Sequence, residues 1–152
     1  MDKLKLKVPP VLVLLVLILL VYFLKRSGLV FIVSMNTVYS PYILTMIGCV
    51  IAVLGVWEFR KKKTSVNPHN PNKASRLVTG GIYRITRNPM YLGMLLVLIG
   101  VILRFENILG FVTIPIYILY MNQFQIKPEE QIIETKFAAE YIAYKNKVRR
   151  WL

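Results

Sequence analysis

The chain has 152 residues, the length of one ordinary domain, but with 56% hydrophobic residues its composition is too apolar for a soluble fold of that size. Its formal net charge is +13, and because the basic residues flank apolar runs, we expect contact with anionic lipid head groups and no nucleic-acid partner. One cysteine and one histidine exclude a disulfide framework and argue against a metal centre or a Ser-His-Asp triad.

The first apolar run predicts a transmembrane helix near the N-terminus. Residues 8–24 carry no charge, and no small-residue cleavage site follows them, as a signal peptide would require. Pro9 and Pro10 fall in the opening turn, where missing backbone donors do least harm. The mildly apolar residues 27–39 that follow are expected at the membrane interface.

A second apolar run predicts another span over residues 40–57. Aromatic residues stand at both of its ends, as in an interfacial belt, and four basic residues at 60–63 close it. Gly48, Ala52 and Gly55 form a small-residue stripe at roughly helical spacing, which allows a neighbouring backbone to approach closely.

Residues 64–88 are polar and rich in Asn and Pro, which predicts a loop. Asn88 and Pro89 suit the N-cap and the first helical position of a third span over residues 90–103. A polar turn at 104–107 leads to a fourth span over residues 108–121. Gly93 and Gly100 share a face, and we expect them to let this helical hairpin pack tightly.

The C-terminal part of the chain predicts a separate amphipathic helix. Lys127 and Pro128 mark its start, and Glu129 and Glu130 fall in its first turn, where the helix dipole favours carboxylates. Apolar residues then recur at steps of four and three, namely Ile133, Phe137, Tyr141, Tyr144, Val148 and Trp151. We expect this helix on the membrane surface.

These elements together predict an all-α integral membrane protein with about four transmembrane helices and an amphipathic C-terminal surface helix. Residues 1–63 form the N-terminal spans with their basic stop segment, and residues 64–152 form the functional core. The chain has 20 basic residues, and if both termini are cytoplasmic, all of them except Lys25, Arg26 and Arg104 fall in cytoplasmic segments. This charge bias agrees with the positive-inside rule. The polar stretches 77–91 and 124–131 then lie on the cytoplasmic face.

Several short motifs in the second half resemble the C-terminal core of one family of membrane enzymes. The order and spacing of the motifs around a short helical hairpin are similar to those of the isoprenylcysteine carboxyl methyltransferase and phospholipid methyltransferase superfamily, over residues 67–152. The resemblance implies an integral membrane methyltransferase that uses S-adenosylmethionine and has no Rossmann domain. The motifs are Leu77-Val78-Thr79-x-Gly81-Ile82-Tyr83, Arg87-Asn88-Pro89-x-Tyr91-x-Gly93, Pro128-Glu129-Glu130, and Phe137 with Tyr141-x-x-Tyr144-x-x-x-Val148-Arg149.

The resemblance also implies which residues contact the cofactor. A carboxylate is needed near the sulfonium and ammonium groups of S-adenosylmethionine, and Glu129 at the start of a helix is the candidate. Methyl transfer is an in-line displacement that depends on positioning and desolvation, so no metal is expected. The implied cofactor residues are Leu77, Val78, Tyr83, Asn88, Pro89, Met90, Tyr91 and Glu129.

The substrate-side candidates are Gln125, Arg87 and Glu130, and two positions there depart from the isoprenylcysteine enzymes. Asn88 stands where those enzymes have His, and Gln125 stands where they have Arg. The acceptor is therefore either an isoprenylcysteine-type carboxylate or a phospholipid or amine, and a non-catalytic membrane interaction protein is the alternative of another class. Ala138 replaces a Gly that is usual in the family, a change that favours helix.

Overall fold

A computed structural model of the chain describes residues 5–27, 39–62 and 76–152, and the regular elements in these ranges are helices. Within them, the predicted all-α class is confirmed. The expectations for residues 28–38 and 63–75 lie outside the described residues. The helices are α1 (Pro10–Arg26), α2 (Ser40–Lys61), α3 (Pro89–Phe105), α4 (Thr113–Tyr120) and α5 (Lys127–Lys147), with short 3-10 helices at Gly81–Arg84 and Ile108–Val112 and a π-helix at Met121–Ile126.

The third helix is the centre of the bundle, because it packs on α2 with one face and on α1 and α4 with another. The face towards α1 and α4 contributes Leu95, Leu98 and Ile102 to the hydrophobic core. Tyr117 of α4 is fully buried there, and its hydroxyl donates a hydrogen bond to the carbonyl oxygen of Tyr91 at 3.1 Å. α3 thus connects the core to the polar segment that precedes it.

Glycine residues allow α2 and α3 to pack antiparallel with their backbones nearly in contact. A Cβ atom built on Gly48 would lie 2.6 Å from the carbonyl oxygen of Gly93, and one on Gly100 would meet the hydroxyl of Thr45. The predicted packing role of the small-residue stripe on α2 is confirmed. The expectation that Gly93 and Gly100 serve the hairpin with the fourth span was wrong, because both glycines face α2 instead.

The apolar surface of α1 and α2 is largely uncovered. Among the described helices, α2 is the one long and apolar enough to cross a bilayer, whereas α3 is apolar but has 17 residues. Large apolar side chains on the outer faces of both helices are exposed, among them Phe23 at 61% and Met46 at 62%. Such a surface suits lipid contact, and four membrane passes remain a prediction.

The α-helix predicted to start at Lys127 does begin there, but it is not separate, because the fourth predicted span continues into it through the π-helix without a break. The backbone of Lys127 is helical, and its N–H donates to the carbonyl oxygen of Asn122, five residues back, which is the π-helical pattern. Pro128 has no N–H for the carbonyl oxygen of Phe124, and the backbone N–H of Leu6 donates to that oxygen instead at 3.0 Å. The π-helical turn and the hydrogen bond from Leu6 together satisfy the backbone polar groups around Pro128.

Instead of forming one continuous surface helix, α5 reverses direction at Ala138. This residue has φ +36° and ψ −114°, a backbone conformation that favours glycine. The Lys145 ammonium group lies 3.0 Å from the Glu134 carboxylate, whereas eleven residues of straight helix would separate their backbones by about 16 Å. The expectation that Ala138 favours helix was therefore wrong, because the position is a turn.

Replacing Ala138 with glycine is expected to stabilise the protein by about 1 kcal/mol, because the change removes the strain of a positive φ. The measurement is the free energy of unfolding in mixed micelles. Ala139→Gly is the control, because Ala139 has helical geometry and its replacement is expected to destabilise by about 1 kcal/mol. Equal losses in both variants would show that the turn at Ala138 is absent.

Candidate functional site

A cleft opens where the start of α3, the start of α5 and the reversed half of α5 meet the end of α2. It encloses about 660 Å³ when its open mouth is counted. Aromatic and aliphatic side chains form most of the wall. The lining residues are Phe59, Arg76, Leu77, Val78, Tyr83, Arg87, Asn88, Met90, Tyr91, Glu129, Glu130, Ile133, Phe137, Tyr141 and Tyr144.

The 3-10 helix at Gly81–Arg84 sets the position of Tyr83 in the cleft wall. Gly81 begins this helix with φ +56°, and a Cβ there would collide with the Glu58 carboxylate of α2. A side chain at this position would be strained by the positive φ and would displace the Glu58 carboxylate. Tyr83 then packs edge-on against Phe59 with ring centroids 5.6 Å apart, which joins the end of α2 to the wall.

A carboxyl group is enclosed at the base of the cleft, although part of the Glu129 residue is exposed. The hydroxyl of Tyr91 donates a hydrogen bond to Glu129 Oε1 at 2.5 Å. Burial raises the pKa of Glu129 to about 8, against the opposing effect of the Tyr91 hydrogen bond. The ionised form of Glu129 is therefore disfavoured in the empty cleft, and a cationic ligand would stabilise it.

Three tyrosines line the same cleft as this carboxyl group and give it aromatic surface. The Tyr144 hydroxyl donates to the carbonyl oxygen of Tyr83 at 2.6 Å, which closes the reversed half of α5 over the cleft. Burial raises the pKa values of Tyr83, Tyr141 and Tyr144, so these phenols stay protonated near neutral pH. Aromatic faces beside one carboxylate favour a cation with apolar parts.

A buried carboxylate ties the polar loop to the C-terminal tail. Glu130 lies 3.0 Å from the Arg87 guanidinium and 2.6 Å from that of Arg150. The side chains of Glu130 and Arg87 are only 10% and 9% exposed. The carbonyl oxygen of Arg150 also accepts hydrogen bonds from the Thr86 hydroxyl at 3.2 Å and the Asn88 amide at 2.9 Å. We call Arg87, Glu130 and Arg150 the ionic clamp.

The structure brings most of the sequence-predicted cofactor residues into the cleft. Pro89 is the exception, since it is fully buried and packs against Gly55 of α2. The predicted helix start is confirmed, since Asn88 occupies the N-cap position of α3 and Pro89 begins the helix, but the Asn88 side chain makes no capping hydrogen bond. The residues that line the cleft are Leu77, Val78, Tyr83, Asn88, Met90, Tyr91 and Glu129.

The three substrate-side candidates have different surroundings. Arg87 and Glu130 line the cleft, but both belong to the ionic clamp. Gln125 does not line the cleft, because its amide nitrogen donates to the carbonyl oxygen of Val8 at 2.7 Å. Gln125 thus joins the π-helix to the segment before α1, and its Oε1 has no hydrogen-bond partner among the described residues.

The aromatic residues of the last helix were predicted to form the apolar face of a surface helix, and part of the cleft was therefore missed. Phe137, Tyr141 and Tyr144 line the site because α5 reverses between Phe137 and Tyr141. Phe59 was interpreted as an interfacial residue, yet it faces Tyr83 in the wall. The sequence feature that could have indicated this part of the cleft is the number of aromatic residues that follow the Pro128-Glu129-Glu130 motif. Among the described residues, no group of three or more metal-ligating side chains is placed to hold a metal ion.

Removing the centre of the ionic clamp is expected to destabilise the fold strongly. Glu130→Ala leaves the buried Arg87 guanidinium uncompensated, and we expect a loss of about 3 kcal/mol or more in the free energy of unfolding. Glu134→Ala is the control, since the Glu134–Lys145 pair is 41% and 39% exposed and contributes less than about 1 kcal/mol. Similar small losses in both variants would contradict the clamp.

Comparison with known proteins places this architecture in one family. The family model described as phospholipid methyltransferase matches residues 36–140. Protein-S-isoprenylcysteine O-methyltransferase of Saccharomyces cerevisiae is 33% identical over 115 residues, which cover 68% of this chain and 46% of that enzyme. The chain thus spans about half the length of the yeast protein.

A shorter bacterial protein is more similar in sequence. An uncharacterised protein of Haemophilus influenzae is 51% identical over 63 residues, which cover 41% of this chain and all of that protein. No solved structure matches the chain. Because the phospholipid methyltransferase model covers more than half of the sequence, the chain belongs to the phospholipid methyltransferase family.

Proposed function

We propose that this protein is an integral membrane methyltransferase that binds S-adenosylmethionine in the cleft and methylates a lipophilic acceptor. The observation that carries the proposal is the Glu129 carboxyl group, which Tyr91 holds in an aromatic cleft at the start of α5. Membership in the phospholipid methyltransferase family supports the reaction class. The name of the yeast relative supports methyl transfer to oxygen.

The charge and shape of the cleft suit this donor. S-adenosylmethionine supplies a methyl group on a positively charged sulfur, and the S–CH₃ bond breaks towards sulfur as the acceptor oxygen or nitrogen bonds to the methyl carbon. Glu129 offsets the positive charge of the bound donor, and Tyr83, Tyr141 and Tyr144 provide surfaces for its adenine ring and its sulfonium. Leu77 and Val78 complete an apolar wall that excludes water.

The acceptor is proposed to be an isoprenylcysteine-type carboxylate, with a phospholipid or an amine as the second candidate. The yeast relative favours the carboxylate, whereas the description of the family favours the phospholipid. A carboxylate attacks without losing a proton, whereas a neutral amine releases one after transfer. In the proposed topology, both termini and the mouth of the cleft are cytoplasmic, where a soluble donor is available.

Replacing Glu129 is expected to weaken donor binding selectively. We expect Glu129→Gln to raise the Kd for S-adenosylmethionine at least tenfold, about 1.4 kcal/mol, because the compensating charge is lost. The measurement is calorimetric titration of the purified protein in lipid nanodiscs. Glu140→Gln on the same helix is the control, since Glu140 is exposed and does not line the cleft.

If both variants bind as the unaltered protein does, Glu129 has no part in cofactor binding. If the unaltered, folded protein binds neither S-adenosylmethionine nor S-adenosylhomocysteine in native-like lipid, the cleft is not a cofactor site and the non-catalytic interaction protein becomes the better account.

Donor binding is also expected to release a proton below pH 8. Glu129 has a pKa of about 8 in the free protein and is therefore mostly protonated at pH 6.5. If the bound donor pairs with the carboxylate, about one proton leaves, and affinity rises about tenfold per pH unit between pH 6 and 7.

Calorimetry at pH 6.5 in buffers of different ionisation enthalpy measures this proton directly. Glu129→Gln should bind without proton release. Tight binding by the unaltered protein with no proton released would mean that Glu129 stays neutral in the complex.

A further inference from the structure

A groove separate from the cleft lies between the end of α4, the π-helix and the C-terminal tail. It encloses about 920 Å³ when its open side is counted. Leu119, Tyr120 and Phe124 form its apolar part, and Lys127 and Arg150 form its basic part. Within the part of the chain that the structure describes, no carboxylate lines this groove, and none of its lining residues belongs to the cleft.

Arg150 connects the groove to the ionic clamp. The Nε and Nη2 atoms of Arg150 donate hydrogen bonds to Glu130 at 3.2 and 2.6 Å, so the clamp does not use the Nη1 atom. The clamp contains two guanidinium groups for one carboxylate and therefore has one surplus positive charge. Because the Arg150 side chain is 31% exposed and lines the groove, an anion bound there would balance this charge.

Lys127 is the second cation of the groove. Its ammonium group donates a hydrogen bond to the amide oxygen of Gln123 at 3.0 Å, which leaves its charge opposite a neutral group. Among the described residues, no carboxylate forms an ion pair with Lys127. A guanidinium group binds two phosphate oxygens with parallel hydrogen bonds, and an ammonium group adds a compact point charge. The basic part of the groove therefore suits a phosphate group.

The apolar part of the groove indicates that the anion belongs to an amphiphile. Leu119 is 68% exposed, and the rings of Tyr120 and Phe124 pack with their centroids 4.9 Å apart. Leu119 precedes Lys127 by about 10 Å along the helix. A ligand that contacts both parts has an anionic head group and an apolar body, as an anionic phospholipid does.

We propose that this groove binds the phosphate group of an anionic phospholipid from the surrounding bilayer, and that the bound lipid holds the C-terminal tail in place. Lys127 and Arg150 bind the phosphate oxygens, and the acyl chains lie along Leu119 and Phe124. A zwitterionic phospholipid is less suitable, since its own ammonium group leaves no net charge to balance the clamp. The lipid is a structural ligand and not the methyl acceptor, so the inference goes beyond the proposed function and requires no methyl donor.

The effect on the tail follows from the contacts that Arg150 makes with the polar loop. The carbonyl oxygen of Arg150 accepts a hydrogen bond from the Asn88 amide, and the backbone N–H of Arg87 donates to the carbonyl oxygen of Arg149 at 3.0 Å. A phosphate that holds the Arg150 side chain should therefore reduce the opening of the tail. The rate at which the Arg87 amide hydrogen exchanges with solvent reports this opening.

Native mass spectrometry of the protein released from detergent micelles measures lipid binding directly. The protein is titrated with phosphatidylglycerol or with phosphatidylcholine of the same acyl chains, and the apparent Kd of the first bound lipid is determined. We expect phosphatidylglycerol to bind about tenfold more tightly, because two cations contact its phosphate.

Matched variants assign this preference to the groove. Lys127→Gln should reduce it to about twofold, since one cation near a lipid phosphate contributes about 1 kcal/mol. Lys147→Gln removes the same charge from an exposed position that does not line the groove, and it should keep the preference. Equal binding of the two lipids by the unaltered protein, or equal losses of preference in the two variants, would overturn the site.

Two further measurements separate the proposal from its alternatives. Glycerophosphoglycerol, the same head group without acyl chains, should not displace phosphatidylglycerol at equal concentration, and displacement would assign the groove to a soluble anion instead. In hydrogen exchange, phosphatidylglycerol should slow the Arg87 amide about threefold relative to phosphatidylcholine in the unaltered protein and in Lys147→Gln, but not in Lys127→Gln. Unchanged exchange with the lipid bound would overturn its effect on the tail. None of these measurements uses S-adenosylmethionine, so their outcome is independent of the cofactor site.

Discussion

The buried carboxylate of Glu130 is the interaction on which the cleft depends. It pairs with Arg87 from the loop before α3 and with Arg150 from the tail after α5, and both arginines are remote from it in sequence. A charge this enclosed destabilises the fold when either partner is missing, so the loop, the start of α5 and the tail are fixed together. Glu129 is the adjacent residue, and the ionic clamp therefore also positions the carboxyl group that faces the cleft.

Two backbone features give the clamp its geometry. The π-helix before Pro128 lets α4 continue into α5 without a loop, and the N-terminal segment donates the hydrogen bond that Pro128 leaves unfilled at Phe124. The turn at Ala138 then returns the aromatic half of α5 over Glu129. Neighbouring carboxylates thus have different roles, since Glu130 is neutralised by arginines and Glu129 faces the ligand space.

Much of this arrangement was predictable from the sequence. The apolar runs predicted the helices, and the spacing of small residues predicted the close contact of α2 with a neighbouring helix. Of the cofactor and substrate residues predicted in the second half of the chain, all except Pro89 and Gln125 line the cleft. The turn at Ala138 was not predictable from propensity, because alanine favours helix and only the tertiary contacts hold its φ positive. Likewise, asparagine is a favoured N-cap residue, but the side-chain amide of Asn88 donates a hydrogen bond to the distant carbonyl oxygen of Arg150. Such long-range partners leave no local pattern.

The most direct test of the cofactor cleft is photochemical crosslinking with radiolabelled S-adenosylmethionine, followed by peptide mapping of the labelled protein in lipid nanodiscs. The account predicts label on the aromatic residues of two segments distant in sequence, Tyr83 to Tyr91 and Phe137 to Tyr144, with competition by S-adenosylhomocysteine. Label confined to other parts of the chain, or label that S-adenosylhomocysteine does not displace, would contradict it.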